Sequence, residues 1–262
     1  MKLLLLLKSR KPTVLIQMII DQLLKPRATG FDVNKQFFID KIGIEIGGPS
    51  NIFRAKGLMP IYALAQQTDG CNFSSHTEWE GDIKEGNTYL SEQGKYGHQF
   101  ICDGVDVPII PKGSYDFVLS CNNLEHIANP LKAVNNWIQL LKPTGGTIVL
   151  ILPRKESNFD HRRPTTKLAH LKKDFENNIG EDDLTVMEEV LKYHDLSLDP
   201  LAGGLENFKK RSLDNINNRC LHHHVFDLDL MEEICNYFKL EVVLKESRVK
   251  DHIIVAKTGI GR

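Results

Sequence analysis

Three acidic residues carry the first chemical signal in the sequence. Glu45 lies in the apolar run Ile42–Ile46, just before Gly47-Gly48-Pro49; Asp69 follows the run Ile61–Ala65; Asp103 follows Gln99–Cys102. If those runs are parallel strands of one sheet, the carboxylates stand at successive strand ends, where open α/β sheets bind ligands. Acids placed this way suit a nucleoside with free hydroxyls and a cationic amino-acid tail. The second can accept from both ribose hydroxyls and the third from an adenine amino group. Glu45 can attract an ammonium, directly or through water. Gly47 and Gly48 let the backbone approach such a ligand without side-chain collision. Singly, each acid has a plainer reading. Glu45 can satisfy buried backbone amides, and Asp69-Gly70 and Asp103-Gly104 are common turn pairs. Their conjunction favours a ligand site.

A second set of residues suits proton transfer and substrate contact. Asp160-His161-Arg162-Arg163 follows the fifth apolar run and so lies at the mouth of the same site. Arg162 and Arg163 are candidates for holding an anionic substrate, and His161 for a general base. A solvated, salt-bridged loop is the plainer alternative. His222-His223-His224 suggests metal binding, but adjacent residues of an extended segment point to alternate faces, so no metal site is expected there. Instead His222 or His224 is expected to turn toward the pocket as a further candidate base. His126 reads as a local backbone cap or a cofactor-side residue, and Glu181-Asp182-Asp183 as a charged helix start.

The elements that must position these groups alternate in the manner of βαβ units. Strands are expected at Ile42–Ile46, Ile61–Ala65, Gln99–Cys102, Tyr115–Ser120 and Thr147–Leu152. Asn129-Pro130 opens a helix, with Asn129 as cap and Leu131, Val134, Ile138 and Leu141 on its apolar face. Residues 154–222 form a charged, mostly helical insertion, with helical patterns near Lys167–Ile179 and Asp183–Tyr193. A helix over Leu228–Phe238 precedes two closing strands, Leu240–Leu244 and His252–Ala256. The turn between them is too short for a parallel crossover, so an antiparallel edge is expected.

Three pieces of the chain resemble class I S-adenosylmethionine-dependent methyltransferases. Ile42-Gly43-Ile44-Glu45-Ile46-Gly47-Gly48-Pro49-Ser50 looks like their first motif. Tyr115-Asp116-Phe117-Val118-Leu119-Ser120-Cys121-Asn122-Asn123-Leu124-Glu125-His126-Ile127 resembles their fourth-strand segment. Leu140-Leu141-Lys142-Pro143-Thr144-Gly145-Gly146 is similar to the turn before their fifth strand. The resemblance implies a doubly wound, mainly parallel seven-stranded sheet with an antiparallel edge hairpin, helices on both faces, and S-adenosyl-L-methionine as cofactor. It implies that Glu45, Gly47 and Gly48 border the methionyl part, Asp69 the ribose, and Asp103 and Gly104 the adenine. Ser120 and Asn122 would lie near the sulfonium. The sequence departs from the family where Pro49-Ser50 replaces a third glycine and where Thr144 is extra. The expected division is an N-terminal helical segment, 1–40, and a methyltransferase-like domain, 41–262, with 154–222 as a substrate-side cap.

Bulk properties exclude several other classes. Among 262 residues, 33 Lys and Arg balance 34 Asp and Glu, for a formal charge of -1, so no global field draws the chain to nucleic acid or anionic lipid. Five widely spaced cysteines form neither a disulfide framework nor a thiolate zinc site, which suits reduced thiols in a cytoplasmic protein. Lys8, Arg10 and Lys11 end the leading leucine run too early for a signal peptide, and Val14–Leu24 is too short and polar to span a bilayer. That second stretch suits a helix packed on the core or a homodimer contact. The dinucleotide fingerprint G-x-G-x-x-G and the phosphate loop are both absent. The expected activity is methyl transfer to the oxygen or nitrogen of a small or medium polar acceptor. The rivals are a methyltransferase-like binding module without catalysis and a metal-dependent hydrolase that uses the histidines.

Overall fold

The computed structural model describes residues 27–259; the expected N-terminal helix and its dimer contact lie outside them. Among the described residues ten strands form, in chain order, β1 (Ile42–Ile46), β2 (Gln67–Asn72), β3 (His76–Thr77), β4 (Gly81–Asp82), β5 (Gly86–Glu92), β6 (Lys95–Ile101), β7 (Phe117–Cys121), β8 (Thr147–Pro153), β9 (Glu241–Ser247) and β10 (Asp251–Lys257). Eight of them make one sheet in the order β5-β6-β2-β1-β7-β8-β10-β9. Its centre is parallel, from β6 through β8. The β9–β10 hairpin closes one edge antiparallel, as expected from its short turn.

The opposite edge adds a strand beyond the seven expected. β5 and β6 pair antiparallel across a tight turn in which Gly94 has φ +78. The second expected strand is also displaced. Ile61–Ala65 forms a helical turn, α2 (Ile61–Leu64), and the strand that pairs with β1 is Gln67–Asn72. β2 presents no apolar run because its polar groups find partners within the fold: Asp69 accepts hydrogen bonds from the His98 backbone amide and the Tyr115 hydroxyl.

Alternation along the strands divides the core into two layers. Ile44, Val118, Ile148 and Ile254 face one layer, which α3 (Pro130–Leu140), α4 (Leu168–Glu176) and α8 (Leu228–Tyr237) cover. Phe117, Leu119, Val149 and Ile253 face the other, covered by α1 (Phe31–Asn34), α2 and the intervening loops. Asn129 caps α3 as expected, its side chain accepting from the Lys132 amide, with Pro130 in the first turn. On the site side of α3, Trp137 donates to the Gly104 carbonyl at 2.6 Å and Asn136 to the Val105 carbonyl at 2.9 Å. The helix therefore pins the turn that carries Asp103.

Residues 154–222 lie between β8 and α8. They hold α4, α5 (Met187–Tyr193), α6 (Leu205–Leu213) and α7 (Asn215–Asn218). Met187, Val190, Ala202, Phe208 and Leu221 give this insertion a small apolar core of its own. No helix among the described residues is long and apolar enough to cross a membrane.

Candidate active site

A cavity of about 780 Å³ opens at the carboxyl ends of the five central strands, within the range of roughly 300–1,000 Å³ typical of ligand sites. Each strand end contributes to its wall: Ile46 and Gly47 at the end of β1, Asn72 at the end of β2, Asp103 and Gly104 after β6, Asn122 after β7, and Pro153 at the end of β8. The insertion supplies the facing wall through Asn158, Phe159, Glu181, Arg219 and His222. Trp79, on the β3–β4 hairpin, stands at the side, its ring centroid 5.1 Å from that of His126.

The three expected acids do not share a rim. In the β1–β2 register Ile44 is opposite Asp69 and Glu45 opposite Gly70, so the pleat sends Glu45 and Asp69 to opposite faces of the sheet. Asp69 is buried in mid-strand, its oxygens taken by Gln67, His98 and Tyr115. Glu45 is fully buried behind the glycine loop, where Tyr62 and Tyr89 donate to Oε2 and Oε1 has no partner. Burial raises its pKa, against the opposing hydrogen bonds from Ser50 and the two tyrosines. Of the three, Asp103 alone lines the cavity. Its Oδ1 accepts from the Val105 amide at 2.7 Å, and its Oδ2 is 3.0 Å from Arg219 Nη2.

The remaining expected cofactor residues divide in the same way. Gly47 and Gly104 line the cavity, as does Asn122, which adopts φ +47. Gly48 faces away from it, against Glu45 and Tyr89. Ser120 is buried, 3.5 Å from the Asn123 side-chain amide, and also lies off the cavity wall.

Of the three histidines expected as bases, only His222 reaches the cavity. His161 and Arg162 both close on Asp195 Oδ2, at 2.9 and 2.8 Å, away from the cavity wall. His224 is buried and contacts the Ala128 carbonyl at 3.0 Å; burial pushes its pKa down to about 3, so it is neutral. Arg163 is 1% exposed and every contact it makes is internal. It pairs with Asp160 at 3.1 Å and Glu189 at 2.9 Å, and donates to the carbonyls of His222 and His223. It is a structural cation, not a substrate anchor: residues 160 and 163 turn inward while 161 and 162 turn outward.

Asp160, Glu125, Trp79 and Asn72 were missed as functional candidates. Asp160 Oδ2 lies 2.5 Å from His222 Nδ1, and the two together with Arg163 make a buried charge-paired unit. Against burial, the His222 charge and then that of Arg163 hold the Asp160 carboxyl well below the usual range. Glu125 is buried beside His222, and burial pushes its pKa up to about 7. Its place next to His126 in the fourth-strand motif was the available signal. Asn72 was obscured by the displaced strand.

Residues 71–149 match the family model described as a methyltransferase domain. The matched stretch runs from the end of β2 into β8 and contains Asp103, Asn122, Glu125 and His126. The match covers less than a third of the chain and lies within the doubly wound sheet, so this part of the chain is similar to a methyltransferase domain. The chain is similar to a protein from Pyrococcus horikoshii, at 11% identity and a TM-score of 0.49, with 88% of each chain covered. It is also similar to a SAM-dependent methyltransferase from Aquifex aeolicus, at 11% identity and a TM-score of 0.40, covering 88% of this chain and 89% of that one. A third likeness is to the trans-methyltransferase CalH in complex with SAH, at 14% identity and a TM-score of 0.44; the alignment covers 87% of this chain and 54% of that one. No curated protein matches the chain.

Proposed function

We propose that the protein transfers a methyl group from S-adenosylmethionine to a small or medium polar acceptor. The observation that carries this reading is the cavity at five strand ends, walled on one side by Gly47, Asp103, Gly104 and Asn122 and on the other by the insertion.

The residues present fit the cofactor. The Asp103 carboxylate stands where an adenine amino group or a ribose hydroxyl can donate to it. The backbone at Gly47 and Gly104 lies open to the cavity, and the Asn72 and Asn122 side chains border it. When bound, the cofactor supplies a methyl group already activated on a sulfonium, so the protein's task is mainly alignment of the acceptor. Glu125, His126 and His222 form the polar wall that faces the acceptor, and residues of the insertion with Trp79 complete the lining. Asp160 and Arg163 fix His222 from behind.

Calorimetric titration with S-adenosylhomocysteine tests this assignment. Asp103→Ala removes a charged hydrogen-bond acceptor worth about 1.5–3 kcal/mol, which is roughly ten- to a hundredfold in affinity. Asp69→Asn, off the cavity, is expected to leave the affinity within about threefold of the parent wherever the variant stays folded. Equal losses from the two variants would count against the assignment.

A further inference from the structure

Glu125, His126 and His222 come from two separated segments, yet each offers a ligand atom within 4.8 Å of the other two. All three line the cavity. Two of them present buried atoms with no hydrogen-bond partner, Glu125 Oε2 and His126 Nδ1. The third is already oriented. His222 Nδ1 donates to Asp160 at 2.5 Å, which leaves the Nε2 lone pair as its free electron donor. Ring packing restrains both imidazoles, with the His126 and His222 centroids 4.4 Å apart and Phe159 4.8 Å from His222.

From this arrangement we propose that Glu125, His126 and His222 bind a divalent transition-metal ion, which in turn holds an oxygen-bearing acceptor in the cavity. Two imidazoles and one carboxylate are a recurrent donor set for such ions and leave positions open for an exogenous ligand. Ligation requires the three donor atoms to draw in to about 2.0–2.2 Å from a common centre. Asp160 behind His222 supplies the carboxylate–histidine pairing that fixes the tautomer of a ligating imidazole and raises its basicity. An unpaired carboxylate oxygen and an unpaired imidazole nitrogen, both buried, are costly without a partner, and a cation satisfies the two at once. The histidine run alone does not make the site: His223 and His224 turn elsewhere, to Asn215 and to the Ala128 carbonyl. The role given to the acceptor rests on the methyl-transfer reading; the ion site itself does not.

The experiment uses the untagged, full-length chain, stripped with a chelator and titrated with Mn²⁺, Co²⁺ and Zn²⁺. One ion per chain is expected, and with Co²⁺ a visible absorption band of a nitrogen- and oxygen-ligated centre. Glu125→Gln, which keeps the side-chain shape, and His126→Ala are each expected to weaken binding at least tenfold. No stoichiometric binding by the folded parent overturns the proposal. So does binding that survives both substitutions, or that is lost instead on His170→Ala in the separate His170, Asp174 and His224 cluster. Titration of the same stripped protein with S-adenosylhomocysteine reports on the cofactor site alone, so failure of the metal proposal is distinguishable from failure of the methyl-transfer reading.

Discussion

Replacing Arg163 with methionine is expected to lower the stability of the fold by about 3–5 kcal/mol, the cost of leaving a buried charge without its partner. The guanidinium sits between Asp160 and Glu189 and also donates to two carbonyls of the 222–223 segment. Asp160 is 2% exposed and would keep a single cationic partner, His222. The substitution therefore acts on stability and on the site together, since the same contacts hold His222 in the cavity wall. Urea unfolding monitored by circular dichroism measures the first effect. Adding Asp160→Asn in the methionine background is expected to restore part of the loss, because the under-compensated buried carboxylate goes with it. A loss of less than about 1 kcal/mol for Arg163→Met would match an exposed ion pair instead and would contradict the structural role given to Arg163.

The second large effect is expected at Gly48. A Cβ built there would lie 2.6 Å from the Tyr89 hydroxyl oxygen and closer still to the Glu45 carboxyl group. Neither neighbour has room to yield, since Glu45, Tyr62 and Tyr89 are buried and bonded to one another. The backbone of the 47–50 loop must then shift. Gly48→Ala is expected to cost about 1–3 kcal/mol in stability, as overpacking does, and to weaken S-adenosylhomocysteine binding more than tenfold. Glu45 thus acts on the cavity from behind, by shaping the loop. Thermal unfolding and calorimetry on the one variant measure the two effects. Unchanged affinity would show that the loop's position is irrelevant to the ligand.

Much of the fold was legible in the sequence because it is written in local patterns. β1, β7 and β8 are apolar runs ended by glycine, asparagine or proline. The Asn129-Pro130 start of α3 and the tight β9–β10 turn have equally local causes. β2 and the β5–β6 hairpin were not legible, since their stability comes from tertiary partners. Tyr89 packs where a Cβ on Gly70 would stand, and Tyr115 and His98 satisfy Asp69. The same displacement explains why the acid triad failed as a spatial expectation. Moving the strand from 61–65 to 67–72 changed Asp69 from a residue beyond the strand into one within it, and sheet register then set its face. Asp103 lines the cavity because it stands just beyond the end of β6. In the insertion, charge and histidine content drew attention to both segments; of the residues named there, His222 lines the cavity and His161, Arg162, Arg163 and His224 do not. In Asp160-His161-Arg162-Arg163 it is the outer two that turn inward, and of the three consecutive histidines His222 reaches the cavity.

On the proposed function, S-adenosylmethionine sits in the cavity at the strand ends. Photo-crosslinking of radiolabelled S-adenosylmethionine to the full chain, with the modified peptide identified by mass spectrometry, addresses it directly. The expected adduct falls within residues 46–51, 71–73, 103–105 or 121–126, and excess S-adenosylhomocysteine suppresses it. An adduct confined to other segments, or labelling that the competitor leaves unchanged, would contradict the claim.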